Sequence, residues 1–185
     1  MATERLTIGL YSPVPQSGKS TVAELLKNRY GFEQRPFAGP LKRLVVDLLW
    51  SAGFDPERIG QFMTRDKEAP IPELGDKSFR YLMQTIGTDW GRKLIDKDLW
   101  VKLVLNAPQR ADLVVVEDVR FPNEFDAVLA DGGQMWRIER PGAELPNDHP
   151  SEGLLEDREF DEVIVNDGSL EALEDKVIAA LSGAV

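Results

Sequence analysis

A strand-like run, a short proline-containing loop and a helix-like segment follow one another early in this sequence, and the same alternation recurs along it. Leu6–Tyr11 (LTIGLY) is a short apolar run that reads as a buried strand. Ser20–Arg29 (STVAELLKNR) has helical spacing, with Val22, Leu25 and Leu26 on one face and Glu24 and Lys27 off it. Phe32–Phe37 reads as a second strand. Leu41–Trp50 reads as a helix with a stripe of Leu41, Leu44, Val45, Leu48 and Leu49, ended by Gly53. Met63–Lys77, with Pro70, Pro72 and Gly75, is irregular. Helices are predicted over Ser78–Ile86 and Asp98–Asn106, with Ser78 and Asp98 as N-caps. Leu113–Val116 (LVVV) is β-branched and apolar throughout, as a strand covered on both faces would be. Phe121–Asp131 is a helix broken by Gly132 and Gly133, and Gln134–Glu139 alternates like a strand. Arg140–Glu156 is a polar loop, Glu162–Val165 a short strand, and Leu170–Leu181 a closing amphipathic helix. Strands and helices in alternation imply an α/β fold with a mainly parallel sheet flanked by helices.

Length and charge narrow the function classes. At 185 residues and a prior of ~150 residues per domain, one domain is expected, large enough to bury a core unaided. The 22 Lys and Arg against 32 Asp and Glu leave a net charge of −10. That balance argues against a surface that tracks a nucleic-acid polymer, but not against a small anion held in a local basic pocket. With no cysteine, disulfides, thiolate metal sites and a cysteine nucleophile are excluded. No segment has the length and apolarity of a membrane span, and Met1–Leu10 lacks a signal-peptide pattern. The default expectation is a cytoplasmic protein.

The loop between the first strand and helix carries the chemistry. Ser12–Thr21 (SPVPQSGKST) ends in a glycine, a lysine and a hydroxyl residue at a helix start, the context of a phosphate-binding P-loop. Backbone N–H groups around Ser17, Gly18, Lys19 and Ser20 would converge on a phosphate at the helix N-terminus, with Gln16 and Thr21 flanking them. Lys19 would bridge the terminal phosphates, and the Ser20 hydroxyl would sit on Mg²⁺. Pro13 stands where the motif wants glycine, and Pro15 lies inside the loop, so two potential donors are gone and the loop is stiffened. An ordinary strand–loop–helix with a capping serine and an exposed lysine has the same outline. The LVVV strand runs into Glu117 and Asp118, and an acidic residue at a strand end is what such a loop needs to hold Mg²⁺. Asp118 is the candidate ligand, with helix capping or a pair with Arg120 as the alternative.

The segments SGKSTVAELL, FAGPLKRL, RYLMQTIGTDWGR, DLWV, VVVEDVRFPNE, IERPG and DHPSE occur in that order. Together they resemble the bacteriophage-type deoxynucleoside monophosphate kinases, a P-loop kinase family, over about Leu6 to Glu152. The resemblance implies the P-loop NTPase fold as a single domain over 1–185, with a substrate-side lid or insertion at roughly 38–106. It implies transfer of the γ-phosphoryl of ATP, or of dATP, to a deoxynucleoside monophosphate with Mg²⁺, in the cytoplasm of the host if phage-encoded. A nucleotide's phosphate in an acidic protein needs cations. Lys42, Arg80 and Arg92 lie in the matched segments, and Arg65 and Lys67 lie in the irregular loop. Arg80 and Gln84 share a helix face at i and i+4. Gln84, Thr88 and Asp89 suit a base or sugar hydroxyl, and Trp90 or Trp100 would either stack on a base or pack in the core. Arg120 would stabilise charge on the transferred phosphoryl, or pair with Asp118 or Glu124. Arg137 and Arg140 flank the strand end where the donor is expected. His149, the only histidine, reads as loop-ordering beside Pro150. Lys19, Asp118 and Arg120 are therefore the catalytic or metal-linked set, and no dedicated base is assigned. Exclusion of water from phosphoryl transfer motivates Met63–Lys77 as a closing lid. A homodimer is the default assembly. The competing readings are a P-loop kinase acting on a modified base in DNA or on another small metabolite, and a non-catalytic nucleotide-binding protein with an eroded loop.

Overall fold

The computed structural model describes residues 5–143 and 153–183. The elements run β1 (Leu6–Tyr11), α1 (Lys19–Tyr30), β2 (Glu33–Gln34), α2 (Gly39–Ser51), α3 (Pro56–Met63), β3 (Pro70–Ile71), β4 (Lys77–Ser78), α4 (Phe79–Gln84), α5 (Leu99–Leu105), β5 (Leu113–Val116), α6 (Pro122–Ala130), β6 (Gln134–Glu139), β7 (Glu162–Val165) and α7 (Leu170–Gly183). A single 3-10 turn covers Pro72–Leu74, and α4 continues as a π-helix over Thr85–Ile95. These elements fall into two compact units, Met1–Pro36 with Leu105–Val185, and Phe37–Val104.

The first unit is built on a five-stranded sheet in the order β2-β5-β1-β6-β7, every neighbour parallel. Ile8, Leu10, Val115, Trp136, Ile138 and Ile164 face Val22, Ala23 and Leu26 of α1 and Leu173 and Val177 of α7 in one buried cluster. Each such fully buried aliphatic side chain contributes about 1.5–3 kcal/mol. The central strands approach closely at Gly9, where a Cβ would lie 2.4 Å from Met135 Sδ. The expected strand Phe32–Phe37 is shorter than its sequence suggests. Only Glu33 and Gln34 pair with β5, Arg35 N–H adds one bond to Val115 O at 2.9 Å, and Pro36 has no N–H to continue the ladder.

Near the amino ends of the central strands the first unit holds a buried ion pair. Arg110, with a side chain 2% exposed, pairs with Asp131 at 2.6 Å and donates to Leu105 O at 3.1 Å. Thr7 Oγ1 accepts from Arg110 Nη2 and donates to Asp131 Oδ2. This ties β1 to the segments flanking β5 and α6. Nothing in the local pattern of the sequence marks it.

The second unit packs Leu41, Val45 and Leu49 of α2 against Ile59 and Phe62 of α3, Ile71, Phe79 and Trp100. The apolar spacing of the sequence does not assign α3, although its start is marked. Asp55 Oδ1 accepts from Arg58 N–H at 2.8 Å, Pro56 occupies the first turn and Glu57 follows. Within the irregular stretch 63–77, β3 and β4 form an antiparallel pair, Pro70 opposite Ser78 and Ile71 opposite Lys77. Ser78 caps α4 as expected, accepting from Tyr81 N–H.

The predicted helix end at Ile86 is overrun by the π segment. Here Trp100 sets the geometry: its indole N–H donates to Gly87 O at 2.9 Å, and a Cβ on Gly91 would lie 2.6 Å from Trp100 Cζ2. Gly91→Ala is therefore expected to overpack the seat of the indole. It should destabilise the protein by about 1–3 kcal/mol, read as a lower midpoint in thermal unfolding. An unchanged midpoint would show that the indole yields freely.

Candidate functional site

The loop between β1 and α1 has the shape of an anion cradle, built without the usual glycines. Pro13 and Pro15 offer no amide, and Val14 N–H is held by Ser12 Oγ at 3.3 Å. The donors left to the loop are those from Gln16 onward. Gln16 is left-handed at φ 54°, an uncommon conformation for a residue with a side chain. Gly18 follows at φ 104° as the residue preceding α1, and no side chain caps that helix. Lys19 is the first residue of α1 and half-buried, Ser20 is exposed and Thr21 half-buried. Ser17 is fully buried, and its Oγ has no hydrogen-bond partner. A helix N-terminus with no side-chain cap and no acidic residue in its first turn favours a negatively charged guest.

Two strands bring further groups to this end of the sheet. Because Gly9 is the register partner of Val116, the residues after β5 emerge beside the end of β1. Asp118 and Glu117 are both half-buried there. Glu117 Oε2 is buried without a partner. The sequence points to Ser20 and Asp118 as the Mg²⁺ ligands, so Glu117 is an added candidate, its signal being its place two residues beyond Val115 of the α1-facing core. Arg120 is exposed, and no described carboxylate pairs with its guanidinium. Its backbone N–H is fixed, however: the buried Glu124 carboxylate accepts from Arg120 N–H at 2.8 Å and Phe121 N–H at 3.1 Å. That carboxylate sits at the start of α6, where the helix dipole favours it. Glu124 thus serves the Arg120 backbone, which resolves the expected Arg120–Glu124 side-chain pair differently.

The two arginines expected near the donor each have protein partners. Arg137 is held by two carboxylates. Its Nη2 donates to Glu156 Oε2 at 2.9 Å, and its Nε lies 2.9 Å from Glu139 Oε1. It also lies against the Tyr11 and Phe160 rings, which stack on each other at 5.4 Å. Tyr11 donates to Glu156 Oε1 at 3.2 Å. Burial, followed by the Glu156 charge, pushes its phenol up to about 12. Arg137 therefore braces this cluster. Arg140 is exposed and donates from Nη1 to Gln16 O at 2.9 Å, so its partner is the loop backbone.

All the residues expected to hold the acceptor belong to the second unit. Lys42 is exposed on α2. Arg65 is exposed beside Asp66 at 4.0 Å. Arg80 and Gln84 are one turn apart on α4, and Arg80 pairs with Glu68 while its N–H donates to Lys67 O at 3.0 Å. Thr88 and Asp89 are exposed on the π segment and Arg92 is half-buried there, with Asp89 accepting from Lys93 at 2.7 Å. Trp100 is the exception. It is 4% exposed with its N–H bonded to Gly87 O, so it is core and not a platform for a base. Trp90, 43% exposed, keeps an open indole. His149, Ser151 and Glu152 lie outside the described residues.

The oxygen groups near the loop fit Mg²⁺. No cluster of three or more acidic or histidine ligands occurs among the described residues. One or two carboxylates and a serine hydroxyl, completed by water and a nucleotide's phosphates, are the donor set this cation accepts. No helix among the described residues is long and apolar enough to cross a membrane.

Comparison with known proteins gives the family. A protein of Acanthamoeba polyphaga mimivirus, whose name carries the description deoxynucleotide monophosphate kinase, is 32% identical over 184 residues, 91% of this chain and 92% of its own length. The deoxynucleotide monophosphate kinase of Enterobacteria phage T4 is 38% identical over 105 residues. That alignment takes in 54% of this chain and 44% of the phage enzyme, so the chain spans under half of that relative. An APS kinase structure from Mycobacterium tuberculosis aligns over 97% of this chain and 99% of its own at TM-score 0.41 and 15% identity, a likeness too slight to add to the topology. Residues 67–177, which include α4, the π segment, the Asp118–Arg120 turn and the ends of β6 and β7, match the family described as deoxynucleotide monophosphate kinase. With a left-handed glycine and a lysine at the head of α1, carboxylates at the end of the neighbouring strand and that match over most of its length, the chain belongs to the deoxynucleotide monophosphate kinase family.

Proposed function

We propose that this chain transfers the γ-phosphoryl group of ATP, or of dATP, to the phosphate of a deoxynucleoside monophosphate. The observation that carries the reading is the loop at the head of α1, with Gly18 left-handed and Lys19 opening the helix. The family match supports the acceptor.

The chemistry asks little of the protein beyond position and charge. An oxygen of the acceptor phosphate attacks the γ-phosphorus, the bond from that phosphorus to its bridging oxygen breaks, and the nucleoside diphosphate of the donor leaves. The attacking oxygen is already anionic, so no strong base is required. The amides of Ser17 to Ser20 hold the donor's terminal phosphates. Lys19 balances the charge that spreads over the transferred group, and Arg120 supplies a second cation. Mg²⁺, held by Ser20 and Asp118 with Glu117 at hand, would neutralise the phosphates and template the donor. On the second unit, Arg80, Arg92, Lys42 and Arg65 meet the acceptor's phosphate, and Gln84, Thr88 and Asp89 read its sugar or base.

A kinase panel tests the proposal: ATP, GTP and dATP as donors against each deoxynucleoside and ribonucleoside monophosphate, with Mg²⁺ and then with EDTA. Formation of a deoxynucleoside diphosphate with Mg²⁺, abolished by EDTA, is the expected result, and the panel also identifies the base. No turnover with any acceptor, alongside measurable ATP binding, would overturn it in favour of a nucleotide-binding protein without catalysis.

A further inference from the structure

Strands β6 and β7 lie side by side, with Glu139 opposite Val165, and each ends one residue before a side chain that reaches the phosphate loop. After β6 comes Arg140, whose Nη1 donates to Gln16 O at 2.9 Å. After β7 comes Asn166, whose Nδ2 donates to Ser17 O at 2.9 Å. Asn166 is itself fixed, because its backbone N–H donates to Glu139 O at 2.7 Å. Two consecutive carbonyls of the loop are thus held from the sheet by two neighbouring strand ends.

A held carbonyl also aims the next amide. The peptide unit is planar, and in its trans form the C=O and the following N–H point to opposite sides. Holding Gln16 O toward Arg140 turns the Ser17 N–H away from it, and holding Ser17 O toward Asn166 turns the Gly18 N–H away from that side chain. These two amides are then committed to one direction before any ligand arrives. From Ser12 to Ser17 the loop contains no glycine, so it lacks the usual residue for unusual backbone angles, yet Gln16 still adopts φ 54°. Asn166 also fills the space beside Gly18. A Cβ there would lie 2.5 Å from Asn166 Nδ2, so position 18 is closed to a side chain by space as well as by its φ.

We infer that Asn166 and Arg140 are positioning residues of the donor site, holding the Gln16 and Ser17 carbonyls so that the Ser17 and Gly18 amides are preorganised for a nucleoside triphosphate's phosphates. This rests on the donor half of the proposed function and adds to it two residues that touch the loop and not the reacting atoms. Preorganised donors bind more tightly because less ordering accompanies the ligand. Losing one clamp should weaken donor binding by about tenfold.

The test is ATP binding with Mg²⁺, measured by calorimetry, together with steady-state kinetics. Asn166→Ala and Arg140→Ala are each expected to raise the ATP Kd and the donor KM about tenfold, leaving the acceptor KM unchanged. Asn166→Asp, which cannot donate to Ser17 O and brings a negative charge near the phosphates, should bind no better than Asn166→Ala. Arg140→Lys, which keeps one donor and the charge, should recover most of the loss. Arg140 is exposed, so its variants keep the test open if an Asn166 variant fails to fold. ATP binding within twofold of the parent in folded alanine variants would overturn the inference. So would a rise in acceptor KM equal to that in donor KM. If the parent binds ATP but phosphorylates no monophosphate, the acceptor half of the proposed function falls and the Kd series still decides the clamp. A parent that binds no ATP would overturn both.

Discussion

Lys19→Ala is expected to lower kcat by about 10²–10³-fold while leaving the melting temperature unchanged or slightly raised. The two halves of that result have separate causes. Lys19 is the first residue of α1, where the helix dipole presents its positive end and a cation is locally unfavourable. The dipole term by itself therefore favours its removal. Its proposed work is on the transferred phosphoryl group, whose negative charge grows diffuse as the reaction proceeds, and an interaction made mainly in the transition state appears in kcat. Steady-state kinetics with a fixed acceptor, paired with a thermal scan, checks both halves. A variant that keeps more than a tenth of the parent's kcat would remove Lys19 from the transfer step.

The second large effect concerns stability. Arg110→Ala leaves the Asp131 carboxylate and the Leu105 carbonyl without their buried partner. Breaking a buried pair costs about 3–5 kcal/mol, and the lower end, about 3 kcal/mol, applies here because Asp131 keeps some contact with water. For a chain of this length that is a fall in melting temperature of roughly 6–12 °C. A fall of less than 2 °C would show that the pair does not hold the strands. The pH dependence has a definite sign. Burial by itself raises the Asp131 carboxyl, but the hydrogen bonds from Arg110 and Thr7 outweigh it and hold the group below the usual carboxylate range. Its contribution is present above the ordinary aspartate value of about 4 and is lost as pH falls through the lowered value. The gap in melting temperature between parent and variant should therefore be widest near neutrality and narrow in acid.

The elements most legible in the sequence are those whose periodicity arises from covering a sheet. The boundaries of β1, β5, β6 and β7 match the apolar runs because each strand faces helices, and α1 and α7 follow from their apolar stripes. Legibility fails where partners far along the chain decide the outcome. The sequence predicts a helix that stops at Ile86, yet it continues through Gly87 and Gly91 in π form, where a Cβ on Gly87 would meet Leu41 and one on Gly91 would meet Trp100. The same contact removes Trp100 from the candidate site, since an aromatic at helical spacing looks alike in a core and on a base. The phosphate loop was visible as Ser17–Ser20, whereas Asn166, which holds it, carries no local signal and arrives through the pairing of β6 with β7. Arg137 is expected at the donor from its place at a strand end, and its pair with Glu156 carries no local signal because that carboxylate is 19 residues away.

The order in which this sheet uses the chain has a consequence for its synthesis. β1 is the middle strand, but its register partners in β5 and β6 follow only after the whole of Phe37–Val104 has been made. That stretch is continuous and carries its own core from Leu41 to Trp100, so on a ribosome it can condense while β1 still waits with its edges unpaired. Pairings this far apart close slowly, because chain entropy opposes them until late contacts reward them. The last strand to emerge is β7, and Asn166 comes directly after it. The loop before α1 is therefore completed only after β7 has been made, and a chain stalled before that point would expose the phosphate loop without the side chain that sets its amides.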